Sequence, residues 1–266
     1  MPNLVKEYNV FDAERFPNTP QYRQLMPQLR GAGLHPLNTA DKMRESLEAL
    51  NTKDIQLIAF WLDRYFHTVD GIAYNNVKRK IVPDAKPLFE IQPDSDLSER
   101  ALILPPQYDY DKLEGEEFSI RQLEKAGLDR HLRKDEAISH PVWLALARGD
   151  KHLLREYGDA VFAELQKRDD ANEGMGVYLG SKQKQPSMRA WLVLNLNLRA
   201  GAYGYDLDGP AWLVGVRSKI AKGGAQNLVR NYTPQDVQKA SKALKTLKEI
   251  ARPEIVEPLE ALVRKA

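Results

Sequence analysis

Two aspartates, Asp206 and Asp208, stand in a glycine-rich stretch of the chain, with Arg199, Arg217 and Lys222 nearby in sequence. Carboxylate oxygens are ligands that Mg²⁺ prefers, and basic side chains stabilise negative charge that develops on a phosphate. One interpretation is therefore a metal-assisted hydrolase or phosphoryl-handling enzyme, with magnesium as the candidate cofactor. The competing interpretation is structural, because aspartate before glycine commonly hydrogen-bonds its own backbone in a turn.

The same stretch carries aromatic rings. Tyr203 and Tyr205 lie in a segment that we expect to be a loop between two strands, where their rings could stack on a ligand or a base. In residues 190–199 leucines alternate with other residues, and the leucine face is expected to point to the core. The opposite face would then present Tyr178, Trp191, Asn195, Asn197, Arg199 and Arg217. Sheets that bind bases show this mixture of side chains, whereas a sheet buried on both sides would use them for packing.

Charge is distributed unevenly along the chain. Residues 1–180 hold 24 Lys and Arg against 30 Asp and Glu, for a net charge of −6, while residues 181–266 hold 15 against 7, for +8. A glycine pair at positions 223 and 224, between Lys222 and Arg230, resembles a loop that could face an anion. The leading hypothesis is a binding protein whose basic C-terminal third contacts nucleic acid or another polyanion. The alternative is a protein-interaction or assembly subunit, including a homo-oligomer, in which acidic and basic sections dock.

Composition excludes several classes of protein. The chain has 266 residues and no cysteine, which excludes disulfide frameworks, thiolate metal sites and cysteine nucleophiles. Five histidines occur, but no two have the spacing of a helical metal site. The N-terminal residues lack the apolar core of a signal peptide, and no run is long enough to span a membrane. We therefore expect a cytoplasmic protein that makes no membrane contact.

The N-terminal part predicts helices and irregular segments. Its first 36 residues contain five prolines and are expected to form an irregular arm. An αα-hairpin follows, with Asn38 capping the first helix and with a second helix that starts at Asn51 and has Asp54 as its capping partner. Asp70 and Gly71 predict a turn, and residues 77–82 and 86–91 predict two strands. Prolines between residues 83 and 106 indicate a boundary, which gives domains 1–106 and 107–266, with one continuous domain as the alternative.

The C-terminal part predicts helices on either side of a small sheet. Ser119 and Gln122 form a capping box, Asp150 caps a longer helix, and residues 112–168 are expected to be helical. From Gly174 onwards the apolar period changes from 3.6 to 2, which predicts three antiparallel strands. Residues 234–251 then predict a basic helix whose lysines face either solvent or a polyanion. The predicted fold class is α+β, mainly helical, with a small three-stranded antiparallel sheet in the C-terminal half.

Overall fold

The computed structural model describes residues 8–11, 21–168, 174–180, 183, 185–196, 199–209 and 212–216. The chain divides into two compact units, residues 1–217 and residues 218–266, and every described residue belongs to the first. The predicted basic helix at residues 234–251 therefore lies outside the described residues. Strands on both sides of residue 107 pair with one another, as residues 78–81 do with residues 116–119 and residues 102–103 with residues 187–188.

Eight α-helices lie within the described residues: α1 Tyr22–Gly31, α2 Thr39–Thr52, α3 Ile55–Leu62, α4 Lys86–Phe89, α5 Ile120–Ala126, α6 Lys134–Ser139, α7 Pro141–Leu146 and α8 Lys151–Lys167. The strands described are β1 Tyr8–Phe11, β2 His35–Pro36, β3 Phe66–Tyr74, β4 Lys78–Val82, β5 Leu97–Ser98, β6 Ala101–Ile103, β7 Glu116–Ser119, β8 His131–Leu132, β9 Met175–Tyr178, β10 Ser187–Asn195, β11 Arg199–Tyr205 and β12 Trp212–Val216.

All twelve of these strands belong to one mixed sheet. Its main path runs β1-β12-β3-β10-β11-β9-β8, and the shorter strands β2, β4, β5, β6 and β7 pair at its sides. The pairs β12–β3 and β11–β9 are parallel, and the other pairs are antiparallel. The prediction of a mainly helical chain with a small three-stranded antiparallel sheet is therefore wrong. Half of the strands lie before residue 107, where only two strands were expected, and of those two the strand predicted at residues 77–82 is confirmed as β4.

The centre of the sheet is β3, at the place where a turn was predicted. All nine residues of β3 are buried. The pairing of β3 with β10 shifts between Gly71↔Ala190 and His67↔Leu192, so three residues of β3 lie opposite Trp191 alone. Asp70 lies in this bulge, where glycine and small polar residues are common. The Asp-Gly pair therefore marks an irregularity inside a strand and not the turn that the sequence predicted.

Helices cover both faces of the sheet. On one face Trp191 and Val177 pack with Trp143 and Tyr157 of the helices after residue 120. On the other face Ala190 and Leu213 pack with side chains of α1 and α4. The alternative of a sheet buried on both sides therefore describes the centre of β10, where residues 190–193 are all at most 3% exposed.

Helix ends agree with the local capping signals. Asn38 caps α2, the Ser119–Gln122 capping box begins α5, and Asp150 caps α8, as predicted. Several predicted segments were wrong. The second helix of the hairpin begins after Asp54 and not at Asn51, which lies inside α2. Residues 116–119 and 131–132, within the segment expected to be helical, form β7 and β8. Residues 86–89 form α4 and not a strand, because proline is compatible with a first helical turn, and α1 replaces part of the expected irregular arm.

No helix among the described residues is long and apolar enough to cross a membrane.

Candidate binding face

Four tyrosines gather at one end of the sheet, and we call Tyr65, Tyr178, Tyr203 and Tyr205 the tyrosine face. The rings of Tyr178 and Tyr203 are stacked, with centroids 4.6 Å apart and planes 6° from parallel. Tyr65 meets Tyr203 edge to face at a centroid separation of 5.9 Å. All four side chains are half-buried, so each keeps part of its surface accessible. Such rings bind flat or apolar partners at little cost in conformational entropy.

Strand register explains the stack. In the parallel pair β9–β11, Tyr178 lies directly beside Tyr203. Glycine precedes each tyrosine by two residues on the same face, at Gly176 and Gly201. A Cβ atom at Gly176 would come within 2.5 Å of the Tyr178 ring, and one at Gly201 within 2.8 Å of the Tyr203 ring. Each ring therefore lies over a glycine, which explains why glycine occurs inside these strands.

The predicted loop around Tyr203 is in fact strand β11. Residues 199–205 pair with β10 on one side and with β9 on the other. Glycine here makes room for neighbouring side chains, since a Cβ at Gly204 would approach the Tyr74 hydroxyl to 2.6 Å. The expectation that Tyr203 and Tyr205 lie in a loop between two strands was therefore wrong.

The residues that share each face of the sheet differ from those that were predicted to do so. Leu192 pairs with Tyr203, and Tyr203 pairs with Tyr178, so Tyr178 lies on the leucine face. Trp191 lies on the other face and is fully buried in the core. Alternation within each strand was predicted correctly, but the assignment of Tyr178 and Trp191 to one exposed face was not. Because Trp191 has no accessible surface, it is not a contact residue in this conformation.

The carboxylates of the predicted metal site pair with arginines. Asp206 accepts hydrogen bonds from Arg100, at 3.0 Å, and from Arg189. Asp208 lies 3.6 Å from the Arg100 guanidinium. A magnesium ion bound to both carboxylates would have to displace these guanidinium groups, so the geometry gives the metal interpretation no support. Within the described ranges, no three His, Asp or Glu side chains are grouped to hold a metal ion.

These ion pairs fasten the β5–β6 hairpin beside the tyrosine face. Its two-residue turn consists of Glu99 and Arg100, with φ angles of 47° and 66°. Left-handed angles at both positions are typical of type I′ hairpins, which favour glycine or asparagine. Arg189, whose side chain is only 3% exposed, donates a hydrogen bond of 2.6 Å to the Glu99 carbonyl. The buried guanidinium thus stabilises a turn that the sequence of its own residues disfavours.

A buried histidine lies beneath the tyrosine face. His67 contacts the rings of Tyr22, at 5.2 Å, and Tyr205, at 5.8 Å between centroids. Burial lowers the pKa of His67 to about 3, and the carbonyl and the charge of Asp206 oppose this shift. The imidazole is therefore neutral in the folded protein near pH 7 and does not supply positive charge to the surface.

The side chains of the remaining predicted contact residues lie outside what the structure describes. Asn195 and Arg199 lie at the facing ends of β10 and β11, where they pair through their backbones, and their side chains lie outside what is described. Asn197, Arg217, Lys222 and Arg230 lie outside the described residues. Their binding roles stay predictions.

Sequence reasoning missed Tyr65, Arg100 and Arg189. Tyr65 directly precedes a strand that was not predicted, and Arg100 lies in a hairpin within the segment expected to be irregular. One signal was available for the stacked rings. Both Tyr178 and Tyr203 follow a glycine by two residues inside an apolar stretch, a spacing that places glycine and tyrosine on one face of a strand.

Comparison with known proteins identifies a fold but no family. No family model and no curated protein matches the chain. A solved structure that does match is described by the words "accommodation of massive sequence variation in Nanoarchaeota by the C-type lectin fold". The two chains are 16% identical, with a TM-score of 0.59, and the match covers 80% of this chain and 99% of the other. At this identity the likeness shows the fold alone, and the described unit has the C-type lectin fold.

Proposed function

We propose that this chain is a binding protein that uses a C-type lectin scaffold to present the tyrosine face to a partner. The observation that carries the proposal is the stack of Tyr178 and Tyr203, with Tyr65 against its edge and with each of these residues only half-buried. The matching structure is described as accommodating massive sequence variation on this fold. A scaffold that holds its shape while its sequence varies suits a protein whose surface is adapted to a partner.

For the partner we propose single-stranded nucleic acid. Stacked tyrosines offer platforms to successive bases, and each stacked base contributes about 1–3 kcal/mol by alanine substitution. Residues 218–266, within the C-terminal third that was predicted to be basic, hold ten Lys and Arg against five Asp and Glu, a net charge of +5. Such a segment supports binding of a phosphate backbone by charge.

Fluorescence anisotropy with labelled single-stranded oligo-dT and oligo-rU at low salt tests this proposal. We expect Tyr178→Ala and Tyr203→Ala to weaken binding by about tenfold each, because each removes one stacking surface. Tyr108→Ala is the matched control, since Tyr108 is a half-buried tyrosine outside the tyrosine face that bonds to Glu90. Lys222→Ala and Arg230→Ala are each expected to reduce the slope of the logarithm of the binding constant against the logarithm of the salt concentration by about one. Absence of binding at low salt would exclude nucleic acid as the partner.

A second candidate function is assembly through a protein partner. Helix α3 has the sequence IQLIAFWL, and Ile55 at its start is 82% exposed. Leu57 and Ile58 are half-buried on the same helix. Apolar side chains exposed together are typical of protein interaction surfaces. Light scattering tests this candidate: an oligomer that Ile55→Glu dissociates supports it, and a monomer at all concentrations contradicts self-assembly.

A magnesium-dependent hydrolase at Asp206 and Asp208 stays a prediction from the sequence alone. It requires that Mg²⁺ raise the melting temperature and that Asp206→Asn abolish that increase.

A further inference from the structure

A cleft of about 480 Å³, lined by none of the four tyrosines of the tyrosine face, lies beside the N-terminal end of α2. This volume is within the range of sites that bind small molecules. Strand β2, the start of α2 and the segment around α4 form its walls. The lining side chains that matter here are His35, Asn38, Asp41, Asp84 and Phe89. None of them belongs to the tyrosine face or to the basic segment.

One wall of the cleft is aromatic. The rings of His35 and Phe89 are 7° from parallel, with centroids 6.4 Å apart. Arg30 places its guanidinium 5.6 Å from the centroid of the Phe89 ring, which supports that ring within the fold. His35 is exposed, whereas Phe89 is half-buried. A planar ligand ring that lies on Phe89 would therefore be covered by His35, whose exposed side chain can shift to admit it.

The rim of the cleft offers hydrogen-bond acceptors. Asp84 uses its Oδ1 atom to accept from Arg148, at 2.9 Å, and from Asn38, at 3.3 Å. Asp41 uses its Oδ1 atom to pair with Arg44 at 3.1 Å. The Oδ2 atom of each carboxylate makes no hydrogen bond or ion pair with the described residues. A ligand that satisfies these oxygens must bring N–H or O–H donors.

Hydrogen bonds beneath the cleft hold its walls in place. The buried carboxylate of Asp70 accepts from the backbone N–H of Thr39, at 2.8 Å, and of Asp84, at 3.0 Å. Val69 donates its N–H to the Leu37 carbonyl at 2.9 Å, and its own carbonyl accepts from a residue at the start of α4. The β3 bulge thus connects the segments that carry the aromatic wall and the two carboxylates. A preorganised site loses less free energy when a ligand binds.

We propose that this cleft binds an amino-substituted heteroaromatic ring, the class that includes cytosine, adenine and guanine. The parallel rings stack on the faces of the ligand, and its exocyclic amino group donates to Asp41 or Asp84. Carboxylates accept from exocyclic amino groups of bases in this way. Uracil presents a carbonyl oxygen at the corresponding position, which the carboxylates disfavour.

The test is a fluorescence titration of the full chain with 2-aminopurine riboside, whose emission is quenched when the base stacks. We expect saturable quenching that added cytidine reverses. Uridine should require a concentration at least about tenfold higher than cytidine to reverse it. His35→Leu and Asp84→Ala change exposed side chains and are expected to weaken binding by about tenfold each, with the circular dichroism spectrum unchanged. Phe89→Leu is expected to weaken binding further. If the Phe89 variant does not fold, the His35 and Asp84 variants alone test whether the cleft binds the riboside.

Tyr178→Ala is the control and is expected to leave the quenching unchanged, because Tyr178 does not line the cleft. This proposal therefore stands or fails separately from oligonucleotide binding at the tyrosine face. The proposal is overturned by the absence of saturable quenching at concentrations up to about 1 mM. Equal competition by uridine, or unchanged affinity in both the His35 and Asp84 variants, overturns it as well.

Discussion

Replacement of His67 tests how the buried face of the sheet sets the response of the protein to acid. His67 is 2% exposed, and burial lowers its pKa from 6.5 to about 3. The carbonyl and the charge of Asp206 favour the protonated ring, but they do not compensate for the loss of water. The folded protein therefore keeps this imidazole neutral at a pH at which the unfolded chain binds a proton.

The sign and size of the change in the free energy of unfolding with pH follow from the difference in proton binding between the folded and unfolded states. Below pH 6.5 the unfolded state binds a proton that the folded state does not, so acid favours unfolding. His67 therefore makes its full contribution to the free energy of unfolding above pH 6.5, and this contribution is lost as the pH falls towards 3. Near pH 5 the loss corresponds to about 1.5 pKa units, or about 2 kcal/mol of unfolding free energy. Burial also lowers the pKa of His140, to about 4, which adds a loss of the same sign.

Urea denaturation of the wild type, His67→Gln and His67→Phe near pH 8 and pH 5 measures this contribution. We expect both variants to lose about 2 kcal/mol less than the wild type between the two pH values, whatever their stability near pH 8. His140 is retained in all three proteins, so its contribution cancels in the comparison. Leu213→Val is the control, because Leu213 pairs with His67 in the sheet and does not titrate. It should lower stability equally at both pH values. If both His67 variants show the pH dependence of the wild type, the argument is refuted.

Three further predictions concern a residue with an unfavourable backbone angle and two buried cationic side chains. Glu99→Gly should raise the free energy of unfolding by up to about 1 kcal/mol, because Glu99 has a φ of 47°, and Glu99→Ala should not. Arg189→Met should lower the free energy of unfolding by about 3 kcal/mol, because it leaves Asp206 and the Glu99 carbonyl without a buried donor. Arg100→Met should lower it by less than about 1 kcal/mol, because the Arg100 side chain is 63% exposed. Lys42→Met should stabilise the protein by about 2 kcal/mol near neutral pH, because burial lowers the pKa of Lys42 and no described residue bonds its Nζ atom. Urea unfolding measures all three, and a destabilised Lys42 variant would contradict the last.

Short-range features of the fold could be read from the sequence because their causes are local. Asn38, Ser119 and Asp150 cap helices through bonds to backbone groups two or three residues away. Alternation along β10 is likewise a property of one strand. These signals do not depend on which other segment lies beside them.

The sheet could not be predicted because strand pairing is a property of distant segments. Residue 71 pairs with residue 190 in the centre of the sheet, and no local signal connects them. The strongest local signal at β3, the Asp70-Gly71 pair, favours a turn, but Asp70 bonds Thr39, Asp84 and Arg148 instead. Those bonds come from three separate segments. They compensate for burial of the carboxylate, and burial still raises its pKa.

The tyrosine face shows how the same limit applies to a site. Three of its four residues, Tyr178, Tyr203 and Tyr205, were recognised as candidate contact residues, yet Tyr178 was assigned to the side of Trp191. The register β10–β11–β9, which sets Leu192, Tyr203 and Tyr178 in one row, decides the matter. A glycine two residues before each tyrosine leaves space for a ring that lies back along its own strand. The spacing therefore accounts for the position of each ring, whereas the neighbouring strand is set by pairing between distant segments, which no signal within a single strand contains.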